Sequence, residues 1–178
     1  MANAMNSYKN AITKESIFTA LMIIMEKKDF HKISVTEVTA KAGVSRMAFY
    51  RNYEVLEDVI TDYLNDCFAE YEKAIERVGL DNSYEVVLLF FSTFKAEKTL
   101  LLNLIESKLT YLLLDKCNTF LEDICKTIVC DKSYSPEKEK YTIKFLTGGF
   151  FNILIEWIMN DFNESEEYMA ELFYEYCK

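Results

Sequence analysis

The stretch from Ser34 to Asn52 constrains this chain more than any other, because it encodes two short helices and the turn between them residue by residue. Ser34-Val35-Thr36-Glu37 is a capping-box pattern, in which the Ser34 hydroxyl accepts from the Glu37 amide and the Glu37 carboxylate reaches back to the Ser34 N–H. A short helix from Val35 to Ala42 is expected to follow. Gly43 supplies the left-handed residue that stops it, and Ser45 can cap a third helix from Arg46 to Asn52. Upstream, Ile17, Ala20, Leu21, Ile24 and Met25 recur at spacings of three and four, which predicts an amphipathic first helix over Thr13–Lys28.

Faces follow from the same periodicity. Phe49 and Tyr53, four apart, are placed to pack on Val38, Val44 and the first helix. The pairs Arg46/Tyr50 and Met47/Arg51 fall on other faces. Such a surface is either an ordinary solvated helix face or one that enters a major groove. In the groove Arg can bond guanine or phosphate, Tyr can donate to phosphate and Met can touch a thymine methyl. Charge admits the groove: residues 1–53 carry eight Lys/Arg against four acids, or +4, whereas the remaining 125 hold 12 bases and 25 acids, or −13. The whole-chain charge of −9, which by itself argues against nucleic acid, conceals this asymmetry.

The run Ala42-Gly43-Val44-Ser45, followed by Phe49-Tyr50 and the aromatic Tyr53, closely resembles the N-terminal helix-turn-helix of tetracycline-repressor-like (TetR family) regulators. The resemblance is strongest over Ile17–Ile60. It implies a recognition helix from Ser45 to Asn52, an obligate dimer and a divergent ligand-binding body. The DNA-contacting set it implies is Ser34, Thr36, Ser45, Arg46, Met47, Tyr50, Arg51 and Asn52. Three departures from the family pattern stand out: Asp29 replaces a Gly, Thr39 an Ala, and Val55-Leu56 a Ser-Lys whose Lys would contact phosphate. With Glu54, Glu57, Asp58 and Asp62 beside that position, a weaker electrostatic hold on DNA is expected.

With only four glycines and one proline, the rest of the chain has few places to turn, and its apolar content of 51% is ample for a core. Six further helices are expected: Val55–Val78, Tyr84–Lys95, Glu97–Glu106, Lys108–Cys130, Pro136 to about Asp161, and Glu166–Tyr176. The expectation is an all-α protein of about nine helices. Residues 8–54 form a three-helix DNA-binding unit, and residues 55–178 a helical bundle for ligand binding and dimerisation. The penultimate helix is apolar nearly all round, so it is to be buried on two sides. One stripe is Phe151, Leu154 and Ile158, the other Phe150, Ile153 and Trp157. One stripe should face the body and the other a partner, so Phe151, Leu154, Trp157 and Ile158 are the candidate dimer residues. Gly148-Gly149 marks a place of close backbone approach.

A largely apolar effector would find walls and polar groups among Phe90, Phe94, Asn103, Tyr111, Phe150, Asn152 and Glu156, although most body aromatics are expected to be plain core. Asn152 and Glu156, four apart, either share a wet strip or anchor a ligand. The single His31, five cysteines without CxxC spacing and no Gly-rich phosphate loop leave no catalytic residue, metal site or cofactor to assign. No signal peptide is recognisable, and the apolar stretch Phe145–Met159 is interrupted by Thr147, Asn152 and Glu156, short of a membrane span. A cytoplasmic, ligand-responsive repressor is expected, binding a pseudo-palindromic duplex as a homodimer. The alternative keeps the fold but acts through another regulator, as the Leu56 departure and the −13 body would suit.

Overall fold

A computed structural model describes residues 2–79, 82–128 and 134–176, and among these residues all regular secondary structure is helical. Nine α-helices and one 3-10 turn are present: α1 (Ala2–Met25), the turn Phe30–Lys32, α2 (Val35–Ala42), α3 (Arg46–Tyr50), α4 (Leu56–Val78), α5 (Ser83–Ala96), α6 (Lys98–Glu106), α7 (Thr110–Ile128), α8 (Pro136–Met159) and α9 (Glu166–Tyr176). The ends agree with the capping signals. Asn82 accepts from the Glu85 amide at the start of α5, and Ser135 accepts from the Lys138 amide ahead of Pro136 in α8. The boundary between α6 and α7, which no turn-forming residue marks, is made by Lys108 in the left-handed region at φ 58°. Leu109 N–H then closes on Leu104 C=O at 2.8 Å.

Two compact units result. The first comprises Met1–Leu64 with Asn103–Leu109, and the second Asn65–Leu102 with Thr110–Lys178. In the first unit α1 lies chiefly on α2, with Ile17, Leu21, Val38, Phe49 and Ile60 fully buried. The Phe18 ring stacks on Tyr63 at 3.6 Å. In the second unit α5 packs on α9 and α7 on α8. Its core is a chain of aromatic contacts: Phe90 lies 4.4 Å from Phe94 and 4.6 Å from Phe150, Phe150 lies 4.5 Å from Phe173, and Trp157 lies 4.8 Å from Phe162, centroid to centroid.

The burial of α8 corrects the two-stripe expectation. Phe150 and Trp157, from one expected stripe, and Leu154 and Ile158, from the other, are all buried within the chain, together with Ile143 and Thr147. They form one arc, since these positions fall on one side of a 3.6-residue turn. Leu154, Trp157 and Ile158 are therefore core residues and not a surface for a partner, and Phe151 lies half-buried at the arc's edge. The opposite side of α8 carries Tyr141, Phe145, Gly149, Asn152 and Met159, all exposed. At 24 residues α8 is also, by length and composition, long and apolar enough to cross a membrane, because the helix begins at Pro136, well before the apolar stretch. Its buried arc is that of a core helix.

Candidate nucleic-acid interface

The geometry of α2 and α3 is set by local hydrogen bonds. Ser34 Oγ accepts from the Glu37 amide at 3.3 Å while Glu37 Oε2 accepts from the Ser34 amide at 3.0 Å, so both halves of the capping box form. Lys28 Nζ donates to Glu37 Oε1 at 2.6 Å. The Lys28 hydrogen bond, followed by those from the Ser34 amide and hydroxyl, holds the Glu37 carboxyl below the usual carboxylate range. Gly43 stands at φ 68°, ψ 26°, a conformation that costs a side-chain-bearing residue energy, and Val44 N–H then reaches Thr39 C=O at 3.0 Å. Ser45 Oγ accepts from the Ala48 amide at 3.1 Å and starts α3.

The helical part of α3 ends at Tyr50, two residues before the expected Asn52, and the backbone continues through further helical-type bonds from Arg51 N–H to Met47 C=O and Asn52 N–H to Phe49 C=O. Phe49 and Tyr53 are buried, fixing which side of α3 turns inward. Met47 is left 75% exposed and Tyr50 50%, with Ser45, Arg46 and Arg51 exposed beside them. The Arg46 guanidinium lies 5.9 Å from the Tyr50 ring centre, close enough for a cation–π contact. Ser34 and Thr36 are exposed at the start of α2, and Asn52 is half-buried with its Nδ2 donating to Ala48 C=O at 3.0 Å. His31 is exposed at the edge of the Phe30 ring, and its amide donates to Asp29 Oδ1.

Two of the departures from the family pattern have structural reasons. Asp29 caps the 3-10 turn through that bond to the His31 amide. Thr39 is buried, and its hydroxyl donates to Val35 C=O at 2.8 Å inside α2, which removes the cost of burying it. Two of the four acids near the start of α4 are also engaged. Asp58 Oδ2 accepts from the Glu54 and Val55 amides at 2.8 and 3.0 Å, so it caps α4. Asp62 binds Lys14 Nζ at 2.8 Å and accepts from the Tyr53 hydroxyl at 2.8 Å. The sequence showed their charge but not these partners. Lys41, Arg46 and Arg51, by contrast, have no carboxylate at ion-pair distance among the described residues, so their charge is available to a polyanion.

Of the residues expected to line an effector pocket, three meet one another in the core and the others lie elsewhere. Phe90, Phe94 and Phe150 are consumed in the aromatic core, and Tyr111, Asn152 and Glu156 are exposed. Asn152 Nδ2 donates to Gly148 C=O at 2.7 Å and Glu156 Oε1 accepts from Asn160 at 3.2 Å, the bonds of a wet helix face. Asn103 is buried in the first unit, donating to Met22 C=O at 3.2 Å. A surface cavity of about 260 Å³ lies where Glu122 of α7 meets Pro136, Glu139, Lys140, Ile143 and Lys144 of α8, and none of the expected ligand residues lines it.

Comparison with known proteins places this geometry. The family model described as a transcriptional regulator C-terminal region, of the TetR class, matches residues 81–178, more than half of the chain. No curated protein sequence matches. Among solved structures, a TetR transcriptional regulator from Streptococcus agalactiae is 20% identical, with a TM-score of 0.73 and 99% of each chain covered. The TetR-family repressor FadR of Thermus thermophilus, solved with lauroyl-CoA, is 20% identical with a TM-score of 0.60 and 91% of each chain covered. The dihydroxyacetone kinase operon activator DhaS is 16% identical with a TM-score of 0.67 and 94% of each chain covered. At such identities the structural likeness speaks for the fold, and the family model carries the assignment. A capped helix-turn-helix ahead of a helical region that matches this model has one home: the chain belongs to the TetR family of transcriptional regulators.

Proposed function

We propose that the protein is a ligand-responsive repressor that binds a pseudo-palindromic operator as a homodimer. The observation that carries the reading is the outer face of α3, where Arg46, Met47, Tyr50 and Arg51 are all exposed while Phe49 and Tyr53 hold the helix from beneath. Bidentate Arg, an apolar contact and a phosphate-donating hydroxyl are the groups a major groove takes. The Asp62–Lys14 ion pair cancels one of the acids near the start of α4, and Lys41, Arg46 and Arg51, without a carboxylate at ion-pair distance among the described residues, favour direct DNA binding over action through another regulator. Fluorescence anisotropy on a duplex selected by the protein tests this reading. Arg46→Ala should cost about 1 to 3 kcal/mol and relax preference at one base pair. Equal affinity of wild type and variant at matched salt would overturn it.

Dimerisation is supported by the exposed side of α8, where Phe145 is 79% exposed in line with Tyr141, Gly149, Asn152 and Met159. Large groups such as Tyr141, Phe145 and Met159 exposed along one stripe are costly in water and suited to a two-fold contact. The effector reading rests on family membership. The lauroyl-CoA bound by the similar repressor makes acyl thioesters a reasonable first class to screen. Repression is the reading adopted, and an activator such as DhaS has the same fold. A promoter-reporter assay distinguishes the two signs.

A further inference from the structure

Aromatic and cysteine side chains aside, the polar side chains buried among the described residues are Thr39, Asn103 and Thr147. The two threonines bond carbonyls of their own helices. Asn103 differs, because its Nδ2 crosses 81 positions of sequence to donate to Met22 C=O of α1 at 3.2 Å, with Met22 Sδ at 3.6 Å. Asn103 is 4% exposed and Met22 5%, so water has no access to replace the bond. Met22 C=O also accepts from Glu26 N–H at 3.2 Å in the closing turn of α1. One carbonyl thus holds both the end of α1 and the side chain of Asn103.

The segment that brings Asn103 there is anchored. Lys108 ends α6 in the left-handed region, and the returning Leu109 N–H closes on Leu104, with both leucines buried. Apolar anchoring of this kind fixes depth but tolerates sliding, whereas a buried directional bond fixes register. The end of α1 matters because the chain passes from it through the 3-10 turn directly into α2 and α3.

We propose that Asn103 is a positioning residue for DNA binding: although far outside the contiguous DNA-binding segment, it sets the register of the last turn of α1 and thereby the presentation of α2 and α3. The proposal rests on the reading that this unit binds DNA, and the test separates the two. Full-length Asn103→Leu keeps the volume and removes the donor. In hydrogen exchange, amides of Met22–Lys28 and of α2–α3 should exchange about ten-fold faster, with α5 unchanged. Affinity for a duplex selected by the wild type should fall about ten-fold, while affinity for a random-sequence duplex, governed by charge, is kept. Asn103→Ser, read the same way, serves if the leucine variant does not fold. Unchanged exchange at Met22–Lys28, or acceleration spread equally over α5, overturns the proposal. If the wild type selects no sequence, the DNA reading fails while the exchange result still decides the role of Asn103.

Discussion

Replacing Gly149 by Ala separates the chain's own packing from a partner's. Gly149 is exposed in the middle of the 24-residue α8, and a Cβ built on it meets no atom within 4 Å. Alanine in mid-helix is favoured over glycine by about 1 kcal/mol, chiefly because the unfolded chain loses freedom. For a chain of this size that corresponds to a rise in Tm of about 2 to 4 °C. If a second copy approaches the stripe of Tyr141, Phe145, Asn152 and Met159 at this point, the same methyl is an overpacking substitution at the interface. It would cost about 1 to 3 kcal/mol, roughly a 5- to 150-fold rise in the dimer dissociation constant. Far-UV circular dichroism on dilute monomer gives the first quantity and sedimentation equilibrium the second. A higher Tm with unchanged dimerisation would remove this face from the interface. A lower monomer Tm would refute the packing argument itself. Gly148→Ala, whose Cβ also meets nothing within 4 Å, is a companion measurement.

Gly43→Ala should destabilise the chain by about 1 to 2 kcal/mol in urea denaturation, since φ 68° is unfavourable for Ala although the space beside it is open; no loss would mean that the turn takes another conformation. Glu37 predicts a pH dependence. Its carboxyl sits below its unfolded value in the native state, so its contribution to stability is present above about pH 4.3 and is lost as pH falls through the folded value. Glu37→Gln should therefore flatten the acid limb of the stability profile, and identical acid limbs for the two proteins would contradict the capping-box and Lys28 contacts as its source.

Local chemistry made most of the fold legible. Ser34, Glu37, Gly43, Ser45 and Pro136 act through bonds to neighbours a few positions away, so residue type and spacing carried the information. The exposed face of α3 was legible for the same reason, given Phe49 and Tyr53 as its inward pair. What could not be read depends on distant partners. A helix apolar on nearly every side gives no sign of which arc turns inward, so Leu154, Trp157 and Ile158 could not be separated from Phe145 and Met159 by periodicity. Asn103, Asp58 and Asp62 have roles set by Met22, the Glu54 and Val55 amides, and Lys14 with Tyr53. Of these only the Asp58 bonds are local, and a capping motif lacking its usual Ser obscured them. The stop at Lys108 was hidden as well, because lysine seldom takes a left-handed conformation.

In the proposed complex, two copies of the α3 face read successive major grooves of one duplex. Selection from a pool of randomised double-stranded DNA with the full-length protein, followed by sequencing of the bound fraction, tests it whatever the operator's sequence. The expected outcome is enrichment of an inverted repeat whose half-sites lie about one helical turn, roughly 34 to 36 Å, or a multiple of it apart. Parallel selection with Arg46→Ala should blur one position in each half-site. Enrichment of a single asymmetric site, or no enrichment over the starting pool at physiological salt, would contradict it.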